Sequence, residues 1–176
     1  MATYQGSVEI AAPVERVARL LHDLDGWTGW TSTIQEATPL GRGVVEPGAR
    51  VRCRQPGLPV SVWTVDTVDP QTFAWNNYRH GLRTVATHRL TTTPSGSRLD
   101  VEIVQDGALT RLVAVTRGGV IRRHLGQMLL DVKRAAEAQQ AVYPVSARGA
   151  EALDPDVRRG NAEAEQQLSG GLGENR

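Results

Sequence analysis

The pattern that most restricts the fold comes late in the chain. Ile121, Leu125, Met128, Leu129, Val132, Ala135 and Ala136 recur at spacings of three and four, which marks one long helix with a single buried face. The residues between Ile34 and Gly107 read instead as short strands, so this one helix must cover the face of a whole sheet. A sheet wrapped on one helix closes poorly, and the gap between them is a natural ligand cavity. Gly118 and Gly119 fall near the start of the helical pattern, which predicts a short or bent segment before them and a helix of about 20 residues after them.

Upstream, Tyr4, Gly6, Val8 and Ile10 alternate with Gln5, Ser7 and Glu9, the period of a half-buried strand from Thr3 to Ala11. Pro13 is placed to open a helix at its first position, with Val14, Val17, Ala18, Leu21 and Leu24 on one face until Asp25 and Gly26 stop it. Trp27 and Trp30, three apart, project from one side of a second short helical stretch. Turn signals at Gly41 to Gly43, Pro47-Gly48, Pro56-Gly57, Asp69-Pro70, His80-Gly81 and Pro94 to Ser97 then separate β-branched and aromatic runs into about six antiparallel strands. In the last of these Leu99, Val101 and Ile103 share one face, and it ends at Asp106-Gly107. The expected architecture is α+β, a curved antiparallel sheet around a long carboxy-terminal helix with an internal cavity, over residues 1–143. Residues 144–176 are rich in Ala, Gly, Glu, Arg and Gln without an apolar period and are expected to form a disordered tail.

A chain of 176 residues with a net charge of +1 fits one domain and has no electrostatic bias towards polyanions, so nucleic acid is not an expected partner. Cys53 is alone and cannot form an internal disulfide, which suits a reducing compartment; a small strand residue is its ordinary reading. The first residues lack a basic segment followed by an apolar core, and no apolar run is long enough to span a membrane, so the expected location is the cytoplasm. Motifs for zinc hydrolysis, nucleotide binding and serine hydrolysis are missing, and the glycine-rich stretches lack the strand-then-helix context of a phosphate cradle. No cofactor or metal is expected.

Several runs together carry a resemblance: Gly26-Trp27 with Trp30 and Ile34, Pro47 to Val51, Trp63 to Val65 before Asp69-Pro70, Phe73 to Trp75, and Ala86 to Leu90. They resemble the START-like SRPBCC superfamily and, within it, the polyketide cyclase/dehydrase branch, over about Thr3 to Gln140. The resemblance implies a helix-grip (Bet v 1-like) fold with a deep pocket for aromatic polyketides, lipids or other hydrophobic compounds. It implies either a cofactor-independent polyketide cyclase or dehydratase, as in antibiotic biosynthesis, or a non-catalytic carrier or self-resistance protein that sequesters a lipid or natural product.

Within that frame, His88 shares a strand face with Ala86 and Leu90 and is the leading acid/base candidate; the alternative is a histidine satisfied within the core. Trp75 shares its face with Phe73 and Asn77, offering rings for a flat ligand and an amide for a carbonyl, with Tyr78 as a further ring nearby. Trp63 and Phe73 read as core. For Trp27 and Trp30 the resemblance implies ligand contact, and a clasp of the short helix onto the sheet is the equal alternative. Arg52 and Arg54 share one face of their strand; the resemblance implies that a pocket arginine stabilises an enolate, whereas a solvated outer face is the default. His124 lies on or beside the inner stripe of the long helix together with Met128, and both are candidate ligand contacts. Arg117, Arg122 and Arg123 cluster there, as suits an acyl carrier protein, an anionic ligand group, or an ordinary wet helix surface.

Overall fold

The computed structural model describes residues 1–41 and 43–142, with side chains as far as 138. In chain order the elements are β1 (Ala2–Ile10), α1 (Val14–His22), α2 (Trp27–Trp30), β2 (Glu36–Pro39), β3 (Arg50–Arg54), β4 (Ser61–Asp69), β5 (Thr72–Arg79), β6 (Leu82–Thr93), β7 (Gly96–Gly107) and α3 (Thr110–Val142). All strands join one antiparallel sheet in the order β1-β7-β6-β5-β4-β3-β2, and its hairpin connections fall at the glycine and proline signals of the sequence. The sheet is curved, with a register shift between Val65 and Thr67 of β4, and β1 is brought back beside β7 so that Val8 faces Leu99.

Helix α1 buries Val14, Val17, Ala18 and Leu21, as the sequence predicts, but its ends differ. Pro13 is the residue before the helix, in an extended conformation (φ −66°, ψ 153°), and its carbonyl accepts the first turn's N–H groups from Arg16 and Val17. The helix stops at His22, earlier than Asp25, because the chain turns at Asp23, whose carboxylate accepts the Gly26 N–H at 3.2 Å. An added Cβ at Gly26 would lie 2.2 Å from that carboxylate, so a side chain there would push Asp23 off this hydrogen bond.

Helix α3 corrects a larger expectation. It runs unbroken through Gly118 and Gly119 for 33 residues. Gly118 is where the helix meets β1: a Cβ there would stand 3.2 Å from the Tyr4 hydroxyl, so the glycine's reduced helix propensity, on the order of 1 kcal/mol, is offset by close packing. Further along, α3 carries the buried Asp131, which accepts hydrogen bonds from Thr31 Oγ1 (3.1 Å), the Ser32 N–H (3.2 Å) and Gln127 Nε2 (2.8 Å). These bonds pin the turn after α2 to the long helix, where the apolar stripe alone gives no sign of a polar anchor. The core is one contiguous cluster drawn from the strands, α1, α2 and α3. No helix among the described residues is long and apolar enough to cross a membrane. The tail expected over 144–176 lies outside the described residues.

Candidate functional site

Antiparallel register sets the inner wall of the site. Reading across β5, β6 and β7, the inward-facing residues fall into rungs: Arg79 beside Leu82; then Asn77, Thr84 and Gln105; then Trp75, Ala86 and Ile103; then His88 and Val101, with Phe73 beside His88 just behind the cavity wall. Successive rungs are two residues apart, about 7 Å. Exposure falls along this series, from Arg79 at the mouth to Phe73, which is fully buried behind the deep end. The opposite wall is α3, through Ile121, His124, Leu125 and Met128, and Trp27 of α2 closes one side. Between these walls lies a cavity of about 370 Å³, so the helix does not fill the hollow of the sheet.

The mouth is crossed by the β3–β4 connection, from which Gln55, Leu58 and Pro59 line the cavity. Two guanidiniums hold that strap down from opposite sides. Arg79 on β5 donates to the Val60 carbonyl at 2.7 Å, and Arg117 on α3 donates to the Gly57 carbonyl.

Aromatic rings form the waist and floor. Trp63 and Trp75 are stacked at 4.7 Å and 27°, and Trp27 meets Trp75 edge-on at 5.1 Å. Phe73 and Trp27 then flank the His88 ring at 5.5 and 6.4 Å. His88 Nδ1 lies 3.1 Å from the Phe73 carbonyl oxygen. A carbonyl can only accept, so the proton sits on Nδ1 and the lone pair on Nε2. Burial pushes the imidazole pKa down to about 4 against the opposing pull of that hydrogen bond, so the ring is neutral at pH 7. His124 is also lowered, first by burial and then by the charge of Arg123. Three buried polar atoms on the cavity walls have no hydrogen-bond partner among the described residues: Trp75 Nε1, Gln105 Oε1 and His124 Nδ1.

Of the sequence-predicted site residues, His88, Asn77, Trp27, Trp75, His124 and Met128 all line this cavity. Four do not. Arg52 and Arg54 lie on the outer face of β3, where both pair with Glu36 of β2, at 2.5 and 3.8 Å. Val51 and Cys53 take the inner face, and burial raises the Cys53 thiol to about 12. The pocket-arginine reading therefore fails for both. Tyr78 is 73% exposed, because alternation along β5 sends it to the face opposite Trp75 and Asn77. Trp30 packs against Trp27 at 5.7 Å, behind the wall that Trp27 forms, so it is a clasp without a cavity face. Of the arginine cluster on α3, Arg117 is engaged at the strap and Arg122 lies over the Tyr4 ring at 5.5 Å.

Sequence reasoning misses Trp63, Thr84, Gln105 and Arg79. A signal exists for Gln105, since the alternation of Leu99, Val101 and Ile103 carries one step further to it, and likewise for Thr84 two residues before Ala86. Trp63 reads as plain core in the sequence, yet it lines the cavity. Among the described residues, no group of three or more His, Cys, Asp or Glu side chains is placed to hold a metal ion.

The fold recurs in solved structures of low sequence identity. TTHA0849 from Thermus thermophilus superposes with a TM-score of 0.65 at 16% identity, covering 78% of this chain and 99% of that one. The di-domain ARO/CYC StfQ from the steffimycin biosynthetic pathway gives 0.62 at 13% identity, covering 79% of this chain and 51% of the larger protein. Ara h 8.0201 gives 0.60 at 14% identity, covering 78% and 98%. At such identities these likenesses speak for the helix-grip fold. No curated protein matches the chain in sequence. The model of the family described as polyketide cyclase / dehydrase and lipid transport matches residues 1–137, which take in every element that builds the cavity except the last turn of α3. A match of that extent, on a sheet gripping one long helix, makes the chain a member of the polyketide cyclase/dehydrase and lipid transport family within the START-like SRPBCC superfamily.

Proposed function

We propose that the protein binds one small, flat, largely apolar metabolite inside this cavity. The observation that carries the reading is the enclosed aromatic waist, with Trp63 stacked on Trp75 inside a volume of about 370 Å³. The cavity-lining guanidiniums among the described residues, Arg79 and Arg117, stand at the mouth, and His88 at the floor is neutral. An ion carried to the floor would lose its hydration without gaining a counter-charge, so the buried part of the ligand is uncharged. The test is titration of the full chain with the uncharged fluorophore N-phenyl-1-naphthylamine. Saturable one-to-one binding is expected; emission that rises without saturating would remove the reading.

His88 favours a second reading, cofactor-independent cyclisation or dehydration of a polyketide chain handed over by an acyl carrier protein. With its pKa near 4, an imidazolium at pH 7 is disfavoured by about three pH units, on the order of 4 kcal/mol. The ring is thus suited to accept a hydrogen bond from an enol, and most of the acceleration would come from holding a floppy chain in one fold. A carrier or sequestering protein needs the cavity alone. His88→Gln separates the two: a loss of product formation of about a hundredfold with fluorophore affinity kept supports catalysis. No turnover of a poly-β-ketone thioester by the unaltered protein, with binding intact, supports the carrier.

A further inference from the structure

The second rung of the cavity wall contains a buried side chain that nothing in the described residues fully satisfies. Gln105 is 5% exposed and occupies a position that the alternation of β7 would otherwise give to an apolar residue. Its Nε2 donates to Thr84 Oγ1 at 3.3 Å, and this turns Oε1 away as a buried acceptor with no partner among the described residues. Leaving such an acceptor unpaired disfavours the folded state, because its lost hydration is not replaced. Thr84 is itself buried and accepts from Gln105, so its own O–H remains to donate, and Asn77 continues the polar rung on the next strand. This strip lies one rung mouthward of Trp75, beside the aromatic waist.

We infer that Gln105 and Thr84 form a hydroxyl-reading subsite, and that the cavity's natural ligand is a ring compound bearing a phenolic or alcoholic hydroxyl on its mouthward edge. The inference rests on the binding reading above and deepens it. A hydroxyl both donates and accepts, which matches Oε1 of Gln105 and the hydroxyl of Thr84 together. A carboxylate or an ether presents only lone pairs to Oε1 and leaves it unpaired, so either is rejected relative to the hydroxyl compound. The subsite therefore selects for a hydrogen-bond donor where area burial alone would select for the most apolar guest.

Three probes of one shape test this: naphthalene, 1-naphthol and 1-methoxynaphthalene, each displacing N-phenyl-1-naphthylamine from the full chain. The expected result is that 1-naphthol binds about tenfold more tightly than 1-methoxynaphthalene, although the ether is the more apolar. In Gln105→Leu that preference should vanish while naphthalene binds at least as well as before. Gln105→Met, which keeps the length of the side chain, serves if the leucine variant fails to fold. Equal displacement by naphthol and ether in the unaltered protein would overturn the subsite and leave the binding reading standing. A preference that survives both substitutions would overturn it too, by showing that the hydroxyl is read elsewhere. Failure of the fluorophore itself to bind saturably strikes the binding reading instead, which keeps the two failures apart.

Discussion

His88 is a base kept neutral by its surroundings, and that has consequences for stability as well as for the site. Its folded pKa of about 4 lies below the ordinary value of 6.5. Between those values the unfolded chain takes up a proton that the folded chain refuses. The stability associated with the neutral ring is therefore fully present above pH 6.5 and is lost as pH falls towards 4, by roughly 3 kcal/mol in all. His22 and His124, both lowered chiefly by burial, shift the balance in the same direction. Urea midpoints should thus decline from about pH 7 to about pH 4.5, and His88→Gln should flatten the decline; parallel slopes for the two proteins would refute this account. The same strands mark the reach of sequence reasoning for single residues. Alternation on β5 and β6 places Trp75, Asn77 and His88 on one face because a strand has only two faces and the apolar neighbours name the inner one. On β3, Val51 and Cys53 alternate with Arg52 and Arg54, and the choice between faces is settled only by Glu36 on a separate strand. A cross-strand partner 16 residues away has no periodic signature.

At the level of elements, the seat of α3 depends on β1. Gly6 faces the helix so closely that an added Cβ would lie 2.7 Å from Leu129 Cδ1 and 3.5 Å from Leu125 Cγ. Glycine there sets how deeply the helix sits against the sheet edge, and Gly118 does the same from the helix side, against Tyr4. Gly6→Val should therefore destabilise the protein by about 1–3 kcal/mol through overpacking. Removing the obstructing side chain should recover part of that loss, so Gly6→Val with Leu129→Ala should be less destabilised than the sum of the single variants by about 1 kcal/mol. Strictly additive unfolding energies would refute the close approach. The existence of α3 is legible in the sequence, because a stripe spaced by three and four has no other reading over that length. Its continuity is not, since glycine weakens an isolated helix but serves a packed one, and only the position of Tyr4 decides between the two. Asp131 illustrates the same limit: a buried acid on an apolar helix is explained by Thr31 and Ser32, about a hundred residues earlier in the chain.

For the molecule as a whole, the fold leaves part of its own interior unfilled. Interiors are normally packed to crystal density, so placing a benzyl side chain where a smaller aliphatic one stood in a closed core forces its neighbours apart and costs about 1–3 kcal/mol or more. Ala86 occupies the middle of the cavity wall, between Trp75 and Ile103, and its side chain has a void in front of it. Val17 of α1 is fully buried and, unlike Ala86, does not line the cavity, so packed neighbours surround it. The two sites should respond in opposite ways to the insertion of a ring. Ala86→Phe should leave the melting temperature unchanged or raise it, because the ring buries apolar surface without displacing protein atoms. It should at the same time weaken N-phenyl-1-naphthylamine binding at least about tenfold by occupying the guest's place. Val17→Phe should lower the melting temperature by several degrees. A fall in stability of Ala86→Phe equal to that of Val17→Phe would mean that the space between sheet and helix is closed in solution, and the site argued from it would close as well.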